Sequence, residues 1–542
     1  MFLLPMKYSF LLPVLALAMY TCPPIAVQAQ GDYPTNSQVT QRLQSLSRST
    51  NAQLQSLIKT EGGQDIWVLK IGTGAMDQKP AIAVVGGVEG FHVLSVELAL
   101  QFAEKVINEK SEVLERTTFY VFPNMSPDAT AQYHAALKFE RRGNAVQVDH
   151  DRDGQKGEDP FEDLNGDGYI TQMRIKSPMG EYKISDEDGR VMVKADRSKG
   201  ESGTHILHTE GVDNDKDGKF NEDPQEGIAF NKSLTYKFPA FEPLAGDFPV
   251  SQKESRAMLD YLFDQWNVFA FVTFSPANNL SSPLKYNAGE AKKRIVTSML
   301  EKDVAINAMV SELYNETISA KSFQQDNQGT DGDFFQWAYF HFGRLSFSTP
   351  GWWVPEVKNE EDKSFKNGEA NFLAFAEKEG IADVFVDWTP VQHPDFPNET
   401  VEIGGMKPFV KYNPPYEKVA GLAEEHTSFI LKLAEIQPKL EFHQLKTEKL
   451  GNGLTRISVD LFNNSPLPTH SEMGEKSRWL RKIRVDISSK AEDLVAGDKI
   501  QLMDKLGAFD KISLSWIVKG SGNVEIKAGA AHAGFATLDV KL

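Results

Sequence analysis

One cysteine stands in 542 residues, Cys22, so the chain beyond it has no thiol. A disulfide framework, a Cys-ligated metal and a thiolate nucleophile are excluded from everything that follows it. Positive charge is scarce as well: 58 Lys and Arg stand against 75 Asp and Glu, a formal net charge of −17. That balance disfavours nucleic-acid phosphate as a partner and suits cations or basic ligands. The sequence also lacks an unbroken apolar run of the roughly 20 residues that a spanning helix needs. Its nearest approach, "FLLPVLALAMY", is interrupted by Pro13 and followed by Pro23 and Pro24.

What is there begins with that run. Lys7 precedes it and "AVQA" closes it before Gln30, the layout of a secretory signal cut after Ala29. The mature chain is therefore expected in the periplasm or outside the cell. Loss of Lys7 with the leader takes the charge from −17 to −18. With 41% hydrophobic and 25% charged residues, the remainder has the composition of a globular protein of two or three domains.

After a helical stretch, "SQVTQRLQSL", short apolar runs ("DIWVLKIG", "PAIAVVGG", "TTFYVFPN", "VFAFVTFS", "RLSFST") alternate with amphipathic helices such as "LSVELALQFAEKVINEK" and "SQKESRAMLDYLFDQW". This pattern predicts an α/β fold with a mixed, largely parallel sheet flanked by helices, up to about Leu433. Functional sites in such sheets lie at strand C-terminal ends. From about Lys439, "RISVDLFNN", "KIRVDISS", "KISLSWIVKG" and "TLDVKL" alternate between Gly, Asn and Pro turns, which predicts an antiparallel β-sandwich. The expected division is a leader over 1–29, an α/β domain over 30–437 with an acidic insertion at 149–224, and the sandwich over 438–542.

Within the insertion, "DHDRDG", "DLNGDG" and "DNDKDG" place oxygen side chains at positions 1, 3 and 5 and glycine at 6, the spacing by which one tight turn wraps a hard cation. Calcium is the expected ligand of Asp149, Asp151 and Asp153, of Asp163, Asn165 and Asp167, and of Asp213, Asp215 and Asp217. None is a full EF-hand, since position 12 is Pro160, Arg174 and Pro224. Glu158 with Asp159, and Glu222 with Asp223, are the acids that would complete the outer loops.

The stretch "VVGGVEGFHVLSVELALQF" runs from a strand through glycines into a helix, with Glu89 and His92 in the turn. Taken with "GGQDIWVLKIG", "FPNMSPDA", "RRGNAVQVDHDRDG", "DLNGDGYITQMR", "AFNKSL", "FVTFSP" and "DFFQWAYFHFGRLSFSTPGWW", it resembles the M14 zinc carboxypeptidase family, in a bacterial branch that carries the acidic insertion. The resemblance spans about Tyr33 to Leu433. It implies the family's α/β fold and zinc as the family cofactor, held by a His-x-x-Glu pair and a later histidine with one position left for water.

At the matching positions the residues differ. Glu89 stands at the histidine and His92 at the glutamate, so the pair is reversed, and Val272 stands at the third ligand. The general base, a glutamate in the family, is matched by Pro350, which has no carboxylate. No tyrosine lies between Tyr314 and Tyr339, where the family has one, and the phrase "DWAY" reads "QWAY" with Gln336. The carboxylate clamp, Asn-Arg in the family, is matched by Asn231 and Lys232, and lysine lacks the bidentate fork of arginine. Arg141 and Arg142 match a neighbouring arginine function.

Three functions are compatible with these residues. The first is a secreted, non-catalytic member of the family that binds peptide termini or a similar ligand. The second is an active zinc-dependent carboxypeptidase or amidase with ligands drawn from elsewhere, Glu89 and His92 among them and His341 in the phrase that should carry the base. The third is a calcium-stabilised adhesion or scaffold module at the cell surface.

Overall fold

Five-residue runs that are apolar at nearly every position are driven to the centre of a sheet covered on both faces, because only there can both alternating sets of side chains leave water. In the computed structural model, which describes residues 31–109, 112–149, 154–221, 223–224, 226–319, 327–359 and 362–542, such runs form β3 (Ala81–Val85) and β4 (Thr118–Phe122), a longer one forms β9 (Val268–Phe274), and the hydroxyl-rich "LSFST" of β10 (Leu345–Thr349) lies at the sheet's edge; all four are buried throughout. With β1 (Ala52–Lys59) and β2 (Asp65–Ile71) they make one sheet in the order β1-β2-β4-β3-β9-β10. The pairs β4–β3, β3–β9 and β9–β10 are parallel, and β1–β2 and β2–β4 are antiparallel. The mixed, largely parallel sheet is as expected; β1 is an added edge strand, too polar ("AQLQSLIK") to stand out in the sequence.

Helices cover both faces. On one side α1 (Asn36–Leu46), α2 (Val93–Asn108) and α9 (Val419–Glu435) bury Leu43, Leu94, Leu98, Phe429 and Leu433 against Ile82, Val84 and Val272. On the other, α4 (Lys253–Asp264) and α7 (Phe334–Phe340) bury Met258, Leu262, Phe334 and Trp337 against Ala83, Val85 and Phe271. The remaining helices are α3 (Pro127–Thr130), α5 (Ala288–Ala291), α6 (Glu301–Thr317), α8 (Gly368–Glu379) and α10 (Glu472–Ser477).

A second six-stranded sheet departs from the expectation of a loop-like insertion. It is built from β5 (Gln172–Lys176), β6 (Tyr182–Ile184), β7 (Met192–Lys194) and β8 (His205–Thr209), completed by β11 (Phe385–Val391) and β12 (Val401–Met406), in the order β11-β12-β5-β8-β6-β7. Its strands pair antiparallel. Arg174 fastens the two halves, pairing with Glu402 at 2.8 Å and lying 4.3 Å over the Trp388 ring.

The C-terminal strands alternate apolar and polar residues, as a sandwich requires. One sheet holds β13 (Leu440–Gly451), β14 (Leu454–Asn463), β16 (Leu494–Ala496) and β18 (Lys511–Lys519); the other holds β15 (Ile483–Ile487), β17 (Ile500–Met503), β19 (Asn523–Ala530) and β20 (Gly534–Lys541). Their inner faces meet around Val485, Trp516 and Ile526. Among the described residues no helix is long and apolar enough to cross a membrane. The leader with Lys7 and Cys22, and Asp151, Asp153 and Glu222, lie outside the described residues.

Candidate functional site

The turn after β3 exists because glycine does. A Cβ at Gly86 would lie 2.3 Å from the Ser95 carbonyl oxygen and 2.8 Å from that of Pro123, and at Gly90 2.3 Å from Ala129 Cβ and 2.4 Å from the Arg141 oxygen. Gly87 adopts φ +60°, which an L side chain rarely tolerates. The first turn of α2 therefore packs directly on the strand end. Asn413 secures it, accepting from Leu94 N at 2.9 Å and donating to Phe91 O at 2.8 Å.

This turn presents Glu89 and His92, and the two side chains face different partners. Glu89 Oε1 accepts from Asn231 Nδ2 at 2.8 Å. Burial raises the Glu89 pKa, opposed by Asn231 and by the Arg142 charge. His92 is fully buried, and its Nε2 lies 3.0 Å from the Pro350 carbonyl oxygen. Burial pushes its pKa down to about 4, with the Pro350 bond opposing, so the ring is neutral at pH 7 and Nε2–H is the donor. Nδ1 then carries a lone pair, buried with no hydrogen-bond partner among the described residues.

Val272 sits mid-strand in β9, paired in register with Val84 and Phe347 and 1% exposed within the apolar cluster under α2 and α9. Two of the three zinc positions implied by the resemblance thus offer ligand atoms and the third is hydrocarbon. Among the described residues, no third His, Cys, Asp or Glu completes a cluster with Glu89 and His92 within 4.8 Å. The residues present do not make a zinc site with three protein ligands. His341 caps the end of α7 and meets Thr235 Oγ1 at 2.7 Å.

Asn231 is buried and fully engaged, its Oδ1 accepting from Phe334 N at 2.8 Å. Lys232 pairs with Glu242 at 3.0 Å. Arg141 donates to the carbonyls of Gly143 and Asn144 at 3.0 and 2.7 Å, holding its own loop. Arg142 is exposed and lies 5.3 Å over the Phe91 ring. Of the four residues matched to substrate binding, Arg142 and Asn231 are the ones placed beside Glu89.

Two members of the site carried no motif. Asp333 is buried at the start of α7, and burial raises its pKa to about 7 against hydrogen bonds from Gln336 and Thr330, with Glu89 adding negative charge nearby. Tyr412 lies 5.8 Å from the His92 ring and 5.2 Å from Phe91. A groove of ≈ 760 Å³ begins at Tyr412 and runs between the second sheet and α8, past Tyr182, Trp352, Trp353, Phe365 and Asn371. The only hint in the sequence was the capping aspartate before "FFQW".

In all three acidic loops the first aspartate accepts from the glycine amide five residues on, Asp213 from Gly218 at 3.0 Å among them, and the loops differ in what else they hold. Asp213, Asp215 and Asp217 bring ligand oxygens within 4.8 Å of one another. Asp163 spends both oxygens on the amides of Gly166, Asp167 and Gly168, and Asn165 donates to Asp167 at 3.0 Å. Asp149 accepts from Gly154 N at 3.0 Å. Asp159 and Asp223 are buried and tie the outer loops together: Asp159 accepts from Asn214 N at 3.1 Å and Asp223 from Gly157 N.

A sequence profile of the zinc carboxypeptidase family matches residues 39–350, more than half of the chain. Residues 439–541 match a family described as a domain of unknown function (DUF8731). Among curated proteins none matches. Solved structures similar to this chain include bovine thrombin-activatable fibrinolysis inhibitor in complex with tick carboxypeptidase inhibitor (11% identity, TM-score 0.41, 75% of this chain and 97% of that one). Carboxypeptidase A from Helicoverpa armigera matches at 12% identity and TM-score 0.39 over 74% of each chain, and a metallo-carboxypeptidase from Burkholderia cenocepacia at 12% and 0.31 over 58% of each.

Proposed function

The chain belongs to the zinc carboxypeptidase family, and from that premise we propose that it is a non-catalytic, exported member that binds a peptide or peptide-like ligand in the groove ending at Tyr412. The observation that carries this reading is the hydrogen bond from His92 Nε2 to the Pro350 carbonyl. One family ligand position and the family base position are occupied by residues that bond to each other in the interior. Val272, in the apolar cluster, supports the same reading, because hydrolysis of this type needs both a Lewis acid and a base. Arg142 offers charge for a ligand carboxylate, and the aromatic groove offers apolar contact for the residues behind it. The organisation proposed is a leader at 1–29, a body at 30–437 and a sandwich at 438–542.

Incubation with a panel of C-terminal peptides and added zinc is expected to release no residues. Chelator-sensitive turnover would overturn the reading in favour of a re-sourced zinc site, which the unpartnered His92 Nδ1 favours. Metal content separates a purely adhesive module from an enzyme: about one zinc per chain goes with catalysis, calcium alone with binding.

Calcium is proposed at Asp213, Asp215 and Asp217, whose like charges repel unless a cation lies between them. A ligand bound only by the folded state stabilises it by about 2.7 kcal/mol at a hundredfold excess over Kd. A calcium chelator should therefore lower the melting midpoint. An unchanged midpoint would leave these loops as plain acidic turns.

A further inference from the structure

Where the α/β body meets the sandwich, three buried basic side chains come together, one from the body and two from the sandwich, of which one lies in the connector between β14 and β15. Arg344, 2% exposed just before β10, donates to the carbonyls of Val268 at 2.7 Å, Phe342 at 3.0 Å and Trp479 at 2.9 Å. His470 belongs to the connector that leads into α10, and His532 to the β19–β20 turn of the sandwich; they are 9% and 1% exposed, with ring centroids 5.9 Å apart. Among the described residues, neither ring nitrogen of His532 has a hydrogen-bond partner.

We propose that this triad is an acid-sensitive joint: with both imidazoles neutral the sandwich seats on the body, and protonation of His470 or His532 beside the Arg344 cation releases it. The charged groups acting on His532 are Arg344 and His470; those acting on His470 are Arg344, Lys505 and Asp504. Asp504 is itself ion-paired with Lys482 at 2.5 Å. A new positive charge here meets a buried cation and little compensation, which is the costly case for a buried ion.

The direction of the pH effect follows from linkage. Burial lowers the pKa of both rings, to about 4 for His470 and well below the usual range for His532, while an imidazole in the opened joint titrates near the ordinary value of about 6.5. Below about pH 6.5 the open state takes up protons that the closed state refuses. Opening then gains about tenfold per pH unit for each histidine, until the closed-state value is reached.

Other contacts give the joint a definite closed state, and one of them is itself a titratable group, Asp303, whose pKa burial raises. Ser471 Oγ donates to the Gly343 carbonyl at 3.0 Å, and Trp479 stacks on Trp266 at 5.3 Å. Asp303 accepts from the amides of Glu472 and Met473 at 2.8 and 3.0 Å. The prediction is therefore a shift in an opening equilibrium, with both folded parts retained.

The test is hydrogen exchange of the connector over residues 466–482 in the full chain from pH 6.5 to 4.5, corrected for the intrinsic rate, with β4 as the internal reference. The expected result is an opening constant that rises by up to roughly 10⁴-fold over those two units while β4 stays protected. The double variant His470→Gln, His532→Gln should show a nearly flat profile. The single variant His470→Asn, which changes the less buried ring, should show about half the logarithmic slope. A flat wild-type profile, equal slopes in wild type and variants, or β4 exchanging in step with the connector would each overturn the proposal.

Discussion

The variant Glu89→His, His92→Glu, Val272→His is expected to be several kcal/mol less stable than wild type in zinc-free buffer and to recover when zinc is added. Val272→His places an imidazole in an apolar cluster, and His92→Glu removes the donor to Pro350 O and faces a carboxylate towards that carbonyl; an unmet buried polar group costs roughly 1–3 kcal/mol and a charge more. Structural zinc contributes on the order of 10 kcal/mol where a full ligand set exists. Hydrolysis should stay at background, since general acid–base help is typically worth about 10²- to 10⁴-fold and Pro350 has no carboxylate. Pro350→Glu added to the three changes asks whether the base alone is then missing. Melting curves against zinc concentration decide it: wild type that binds zinc as tightly as the variant would sink the reading that Glu89, His92 and Val272 do not hold zinc.

Gly86→Ala should cost about 3–5 kcal/mol. The atoms its Cβ would meet are backbone oxygens of Ser95 and Pro123, fixed by α2 and the end of β4, so neither can swing away. Gly421→Ala is the matched control. That glycine lies inside α9 with nothing within 4 Å of an added Cβ, and the change should stabilise by roughly 0.5–1 kcal/mol. Chemical denaturation of the two variants measures both; equal effects would mean that the closeness of the β3–α2 turn is not what glycine supplies.

The central sheet was legible because β3, β4 and β9 are largely apolar on both faces, and the sandwich because its strands alternate. The second sheet was not. β6 and β7 are three residues each, β11 contains Pro390, and no local pattern ties residues 172–209 to residues 385–406. At the site, residue types were readable and partnerships were not. Nothing in the identity of Pro350 foretells that its carbonyl receives His92. Spacing alone made the three acidic loops equivalent, and all three do close on the amide of their glycine, but among the described residues it is Asp213, Asp215 and Asp217 whose ligand oxygens converge within 4.8 Å. Tyr412 has no motif because it acts through placement, three hundred residues along the chain from the ring it approaches.

The sheet that walls the groove has a consequence for the order of events during synthesis. Its halves are joined across 228 residues, the separation of Arg174 and Glu402, and β5 gains its β12 neighbour only when that neighbour exists. At about 5–20 residues per second, β5 is made roughly 10–45 s before the strand that covers its edge. Through that interval its unpaired amides and carbonyls are open to any other extended chain. Non-local pairing of this kind also slows folding, because a long loop must close before its contacts reward it. The groove is therefore completed later than the central sheet, and a chain released before residue 401 would contain the body's central strands and have no finished groove wall.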